Sequence, residues 1–175
     1  MLRIQRASVE DIPLIRELCY KVWPQTYAPI LSQDKIDYML EYMYSAESLR
    51  KQMDNGSQFI FVFDDEEPVG YAAYLSKGHG VYKLDKIYVL QSQQGKGVGR
   101  FVIDYIIDEI KKEGATALQL QVNYDNKAKA FYEKLGFIVI DYQDFDIGHG
   151  FFMNDYVMEK KLGEAKVEAE VVKRP

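Results

Sequence analysis

The spacing of apolar residues changes period several times along the chain, and each change marks an expected element. Leu2 and Ile4 alternate with polar neighbours up to Arg6, which predicts a short first strand. Ser8 can cap a helix from Val9, with Glu10 and Asp11 in the first turn, where the helix dipole favours acids. Ile12, Ile15, Leu18, Cys19 and Val22 form one helical stripe, which Pro24 is expected to end. Residues 27–31 read as a turn. Ser32 caps a second helix with Ile36, Met39, Leu40 and Met43 on one face, and Ser45 caps a third that stops at Asn55-Gly56.

Period two then takes over. Residues 59–63 and 69–75 predict an antiparallel hairpin turning at 64–68, and 81–89 adds a third strand after a turn at 77–80. A strong helix is expected over 98–112, with Phe101, Val102, Tyr105, Ile106 and Ile110 on its stripe. Lys111 and Lys112 complement its C-terminal dipole, and Gly114 terminates it. Residues 118–122 form a short strand, 127–135 a helix closed by Gly136, and 137–140 and 151–158 the last two strands. This order implies an α/β (α+β) fold, a mixed sheet with helices on both faces.

Length and composition narrow the class. The 175 residues suit one domain, expected over 1–162, with a charged tail over 163–175. A hydrophobic fraction of 47% favours a packed globule. No apolar run approaches the ~20 residues of a membrane helix, and residues 1–6 lack a secretory apolar core. Cys19 is the sole cysteine, so no intrachain disulfide can form and a cytoplasmic location is expected. The net charge of −5 argues against a nucleic-acid partner and tilts toward cationic ones.

The loop Gln94-Gly-Lys-Gly-Val-Gly-Arg100 carries the clearest chemistry. Alternating glycines between a strand and a helix start free backbone N–H groups for an anion, and Lys96 and Arg100 add charge. A P-loop needs Ser or Thr after Gly-Lys, whereas Gly97 stands there. A dinucleotide fingerprint begun at Gly95 would need glycine at Arg100. The pattern Gln94-x-x-Gly97-x-Gly99 fits without exceptions; a tight turn with no ligand is the bland alternative.

With that loop entered from Ile87-Tyr-Val89, and Asn126-Lys-Ala-Lys-Ala-Phe-Tyr-Glu-Lys-Leu-Gly-Phe137 following in order, the sequence resembles the GNAT superfamily of N-acetyltransferases over most of residues 1–162. Trp23-Pro, Thr26-Tyr27 and the aromatic hairpin are more loosely similar to its bacterial polyamine-acetylating branch. The resemblance implies a mostly antiparallel sheet of about seven strands, splayed around the arm of acetyl-CoA, with no metal. It implies backbone pairing of Ile87, Tyr88 and Val89 with the pantetheine arm, and pyrophosphate held by Gln94, Gly95, Lys96, Gly97, Val98, Gly99 and Arg100. Asn126 would bond the cofactor arm, and Tyr132 would protonate the leaving thiolate. The family pattern puts its Asn seven residues before the Tyr; here Asn126 is six before, and Asp125 holds the seventh place.

Direct transfer also needs a neutral amine, so a base is required. Asp85 shares a strand face with Ile87 and Val89 and is the candidate, the alternative being a simple ion pair with Lys83. Asn123 is a candidate to orient acceptor or water, or else a cap at the strand end. Phe131 and Tyr132 point to different faces of their helix, one to the core and one to the cleft. Cys19 reads as a buried structural thiol, and His79 and His149 as loop-tip residues. The expected partner is a small-molecule amine, polyamine slightly favoured, with no nucleic acid or membrane and a homodimer left open. A protein N-terminus or lysine as acceptor, and a non-catalytic module that binds CoA, are the alternatives.

Overall fold

The computed structural model describes residues 1–163, so most of the expected charged tail, from residue 164 on, lies outside the described residues. Strand β1 (Leu2–Arg6) leads through a 3-10 turn at Val9–Asp11 into helix α1 (Ile12–Tyr27). Helices α2 (Gln33–Tyr44) and α3 (Ala46–Asp54) follow, then the meander β2 (Gln58–Asp64), β3 (Glu67–Gly78) and β4 (Val81–Val89). Helix α4 (Val98–Lys112), β5 (Ala117–Asn123), α5 (Ala128–Lys134), β6 (Ile138–Gly148) and β7 (Phe151–Lys161) complete the order.

The seven strands form one sheet in the order β1-β2-β3-β4-β5-β7-β6. All neighbours are antiparallel except β4 and β5, which are parallel and joined by the crossover helix α4. Alternation along each strand sends side chains to two separate cores. Ile60, Val62, Ala72, Leu118 and Leu120 pack under α4 and α5 with Val102, Ile103, Ile106 and Phe137. Phe59, Phe61, Tyr71 and Ala73 face the other way, against Ile15, Leu18, Trp23, Ile36, Leu40 and Leu49 of the N-terminal helices. Burying each such side chain stabilises the fold by about 1.5–3 kcal/mol.

Four expectations need correction. Helix α1 starts at Ile12 after the 3-10 turn, and it runs through Pro24 to Tyr27 instead of ending there. Proline removes one N–H, but the N–H of Ala28 still bonds the Pro24 carbonyl at 3.0 Å, and Thr26 Oγ1 bonds the Val22 carbonyl at 3.1 Å. Burial of Trp23 and Tyr27 on this last turn outweighs the local penalty. Pro68 lies in β3, and the hairpin turns on Asp65, which has a left-handed φ of 54°. On α4 the buried stripe includes Ile103, while Phe101 is partly exposed. Strand β6 runs far past residue 140, paired along β7.

Two of the three cap readings hold: Ser32 Oγ accepts from the Lys35 N–H and Ser45 Oγ from the Ser48 N–H, whereas Ser8 precedes the 3-10 turn and its N–H donates to Asp11 Oδ2. His79 and His149 sit in left-handed turns between strands. Gly70 lets β3 pass close to β4, because a Cβ there would lie 2.6 Å from the Tyr88 carbonyl oxygen. Gly70→Ala should therefore destabilise the protein by about 1–3 kcal/mol, read as a lowered midpoint in urea unfolding. An unchanged midpoint would mean that the two strands separate freely at this point.

Candidate active site

The parallel β4–β5 ladder is short. It pairs Val81 with Ala117 through Leu84 with Leu120 and then stops. Beyond it β4 continues along β3 to Val89, and β5 continues along β7 to Asn123, so the sheet opens in its middle. The Leu90 N–H bonds the Val69 carbonyl on the β3 side. Strand alternation therefore turns the backbone groups of Val89 and Ile87 into the opening, and those of Tyr88 away from it.

A cleft of about 820 Å³ fills this opening. Its walls include Ile87, Tyr88 and Val89 on one side, Gln121, Val122 and Asn126 on the other, and Gly95, Gly97, Val98 and Gly99 at one end. Gly95 and Gly97 have φ of 83° and 77°, and Gly97 is the N-cap of α4. No hydrogen bond among the described residues uses the N–H groups of Gly95 through Arg100; the first to return to the chain is Phe101, bonded to the Gly97 carbonyl at 3.0 Å. Six successive donors at the positive end of a 15-residue helix make an anion cradle. At Gly99 a Cβ would come within 3.1 Å of Phe131, so the third glycine serves close packing of α4 on α5.

The side chains of Lys96 and Arg100 do not line the cleft. Arg100 is mostly exposed, 3.8 Å from Asp104, so both cations lie outside the cradle walls. Gln94 does line it, with Nε2 3.4 Å from the Val89 carbonyl. Asn126 Oδ1 accepts from the Ala128 N–H at 2.9 Å, fixing the start of α5.

Tyr132 is 8% exposed and borders the cleft, its ring edge-on to Phe137. Burial, and then the nearby Tyr27, raise its phenol well above the ordinary value, so it stays protonated. Phe131 borders the cleft as well, which the sequence reading assigned to only one of this pair.

A second, smaller cavity of about 80 Å³ adjoins the cleft through the shared residues Tyr27, Asp85, Tyr88 and Gln121. Asn123 lines this cavity, and its Oδ1 also caps the following turn by accepting from the Asp125 N–H at 2.9 Å. Asp85 reaches both spaces but is held between two ammoniums, Lys86 at 2.6 Å and Lys83 at 3.4 Å. Burial opposes its ionisation, yet Lys86 and Lys83 together outweigh that and hold its carboxyl below the usual range. Lys86 is itself buried and donates to Gln52 Oε1 at 2.6 Å. The ion-pair alternative for Asp85 is thus the arrangement found, and it makes a poor proton acceptor near neutral pH.

Sequence reasoning passed over three polar residues of this cavity, Lys35, Gln121 and Asp155. The signals were there: Asp155 sits on the strand face of Met153 and Val157, and Lys35 lies four residues from Met39 on an apolar helix face.

An interior strand edge, a row of free amides at a helix start and a buried tyrosine thus meet along one cleft. The acetyltransferase (GNAT) domain model matches residues 27–160. The chain is 26% identical to spermidine N(1)-acetyltransferase of Thermoplasma acidophilum, over 91% of this chain and 97% of that protein. It also resembles the crystal structure of PaiA N-acetyltransferase from Thermoplasma acidophilum in complex with coenzyme A. That likeness has a TM-score of 0.77 and 26% identity, and covers 92% of this chain and 99% of the other. A 55-residue stretch, 31% of the chain, is 42% identical to ribosomal protein bS18-alanine N-acetyltransferase of Escherichia coli, covering 37% of that protein. The chain belongs to the GNAT acetyltransferase family and is an acetyltransferase. Among the described residues no helix is long and apolar enough to cross a membrane, and no cluster of potential metal ligands occurs.

Proposed function

We propose that the protein transfers an acetyl group from acetyl-CoA to a primary amine by direct attack in a ternary complex. The observation that carries this reading is the mid-sheet opening that runs from the six free amides at α4 to Tyr132. The cradle fits a pyrophosphate, and the open edge of Ile87 and Val89 fits an amide-bearing arm laid along it. Asn126 borders that path.

The chain's own residues divide the work. The cradle amides hold the charged end of the co-substrate. The Ile87–Val89 edge fixes the arm in one register, so the thioester stops near Tyr132. Tyr132 supplies a proton to the departing sulfur. The acceptor enters from the smaller cavity, where Asn123 can orient it or a water. At pH 7 an alkylammonium of pKa about 10.4 must give up a proton, at a cost of about 4–5 kcal/mol, so a proton acceptor has to lie on that side.

The similarity to a spermidine acetyltransferase over nearly both whole chains favours a small cationic amine or polyamine as acceptor. The shorter similarity to an enzyme named for a protein alanine supports a peptide N-terminus as the second reading. A thiol-release assay with acetyl-CoA across polyamines, amino acids, amino sugars and Ala-initiated peptides tests both. Release with spermidine and not with peptide is the expected result. Coenzyme A binding without release for any amine would instead make the chain a binding module.

A further inference from the structure

Asp155 is 3% exposed, and no described residue hydrogen-bonds its carboxyl, yet it faces the 80 Å³ cavity beside the cleft. Its strand position places it there: it pairs with Asn123 across β5 and β7, so the two side chains share a sheet face. Among the described residues only Trp23 Nε1 is fully buried without a partner, so the Asp155 carboxyl looks onto the cavity, where its ionisation is still opposed by burial. The rest of the cavity wall is mixed: Trp23, Leu31, Met39, Met43 and Met153 form an apolar side, and Lys35, Lys83, Asp85, Gln121 and Asn123 a polar one.

We propose that Asp155 is the catalytic base that seats the acceptor's ammonium and takes its proton, and that the cavity admits an unbranched primary aminoalkyl arm. This rests on the acetyl-transfer reading above. The apolar side fits methylene groups, the polar side the amine end, and the small volume fits a thin arm better than the branched Cα of a peptide N-terminus. Asp85 cannot share the task, because Lys83 and Lys86 already occupy its oxygens.

The step balances as follows. Asp155 takes one N–H proton from the ammonium and later passes it to water. The freed lone pair on nitrogen forms the C–N bond to the thioester carbonyl carbon, and the C–S bond breaks. Tyr132 gives its O–H proton to the sulfur, and the second N–H proton returns through water to the tyrosine oxygen. The products are an N-acetyl amine, a free thiol and one proton in solution.

Burial pushes the Asp155 carboxyl up to about 6; Lys35 and Lys83 pull it down, and Asp144 adds to the rise. The groups facing it are Lys35 on α2, Tyr27 on α1, Lys83, Asp85 and Tyr88 on β4, Asn123 on β5 and Asp144 on β6. A base with this raised value is empty, and ready, only above it. The wild-type kcat/KM for spermidine should therefore rise with pH through about 6.

The test compares wild type, Asp155→Asn and Asp85→Asn with acetyl-CoA and spermidine, alongside an Ala-initiated peptide. Asp155→Asn is expected to lose about 100-fold in kcat/KM and the limb near pH 6, with coenzyme A affinity by calorimetry unchanged. Asp85→Asn should keep that limb. The thermal midpoint of Asp155→Asn should exceed that of wild type at pH 7, with the gap closing below pH 4. The raised value penalises the folded state only where the carboxyl is ionised. A mutant within threefold of wild type, or one that keeps the limb, overturns the proposal, as does preference for the peptide. If Asp155→Asn fails to fold, the wild-type profile decides: no limb between pH 5 and 7 removes Asp155 as base. Wild type that binds no coenzyme A would overturn the acetyl-transfer reading itself. Wild type that turns over spermidine indifferently to Asp155 overturns this proposal alone.

Discussion

Tyr132→Phe is expected to lower kcat by about 10²–10³-fold while leaving coenzyme A affinity within about twofold. The substitution removes one oxygen from a ring whose edge-on contacts with Phe137 and Phe131 do not depend on it. Packing and the start of α5 should persist, because Asn126, and not Tyr132, ties that helix to its turn. The hydroxyl, in contrast, belongs to a residue that borders the cleft. Its raised pKa makes it a reluctant acid in the resting protein, so its proton moves only as negative charge builds on the departing sulfur. The loss should therefore fall on kcat and spare binding. Steady-state rates with calorimetry of coenzyme A separate the two; an unchanged kcat would remove Tyr132 as the acid.

The second large effect is expected at the cradle. Gly97→Val should weaken coenzyme A binding by about 10–100-fold, from about 1–3 kcal/mol of backbone strain. Gly97 holds a φ of 77° at the N-cap of α4, a conformation that a β-branched residue enters only at that cost. A Cβ there meets nothing within 4 Å, so the penalty is conformational, not steric. Relieving the strain means turning the peptide units on either side, and those carry donors of the cradle. Since Gly97 starts a helix whose core face remains Val98, Val102, Ile106 and Ile110, the fold should survive, visible as unchanged circular dichroism. Gly99→Ala offers the contrast: its φ is ordinary and its obstacle is the movable Phe131 ring, so it should cost less. Equal losses in both would mean that the loop acts through packing and not through amide direction.

How legible each part was depends on where the physical signal lay. The bounds of helix α4 were readable, because an apolar stripe, two terminal lysines and Gly114 agree, although the stripe was read with Phe101 in it and without Ile103. The cradle was readable for the same reason, since glycine spacing speaks directly about backbone. Strand β6 was under-read because none of its residues is fully buried, with Ile138 and Tyr142 63% and 66% exposed, and a register shift between Val139 and Asp141 interrupts its alternation. Its partner β7 dictates it. Pro24 misled because the local rule knows nothing of the cavity that buries Trp23 and Tyr27. Strand parity could have put Asp155 on the face of Met153 and Val157, but the cavity that it faces with Asn123 exists only in the assembled sheet. Asp85 was found by strand parity and Lys83 was named as its alternative partner, but the second ammonium, Lys86, owes its place to the three-dimensional arrangement, being anchored by Gln52 of α3.

The early end of the β4–β5 ladder has a further consequence. Most unpaired strand edges lie on the rim of a sheet, where any other chain can add to them, and proteins guard them with charges, bulges or short length. The edge at Ile87 and Val89 lies in the interior, with β5 and β7 beyond it. It needs no such guard, because a second polypeptide with its own side chains cannot be threaded between strands already joined at their base. A thin linear arm carrying amides can. On the function proposed above, the gap would work as a width filter: the hydrogen-bonding template that would invite aggregation on the rim is, in the middle of the sheet, open only to a slender ligand.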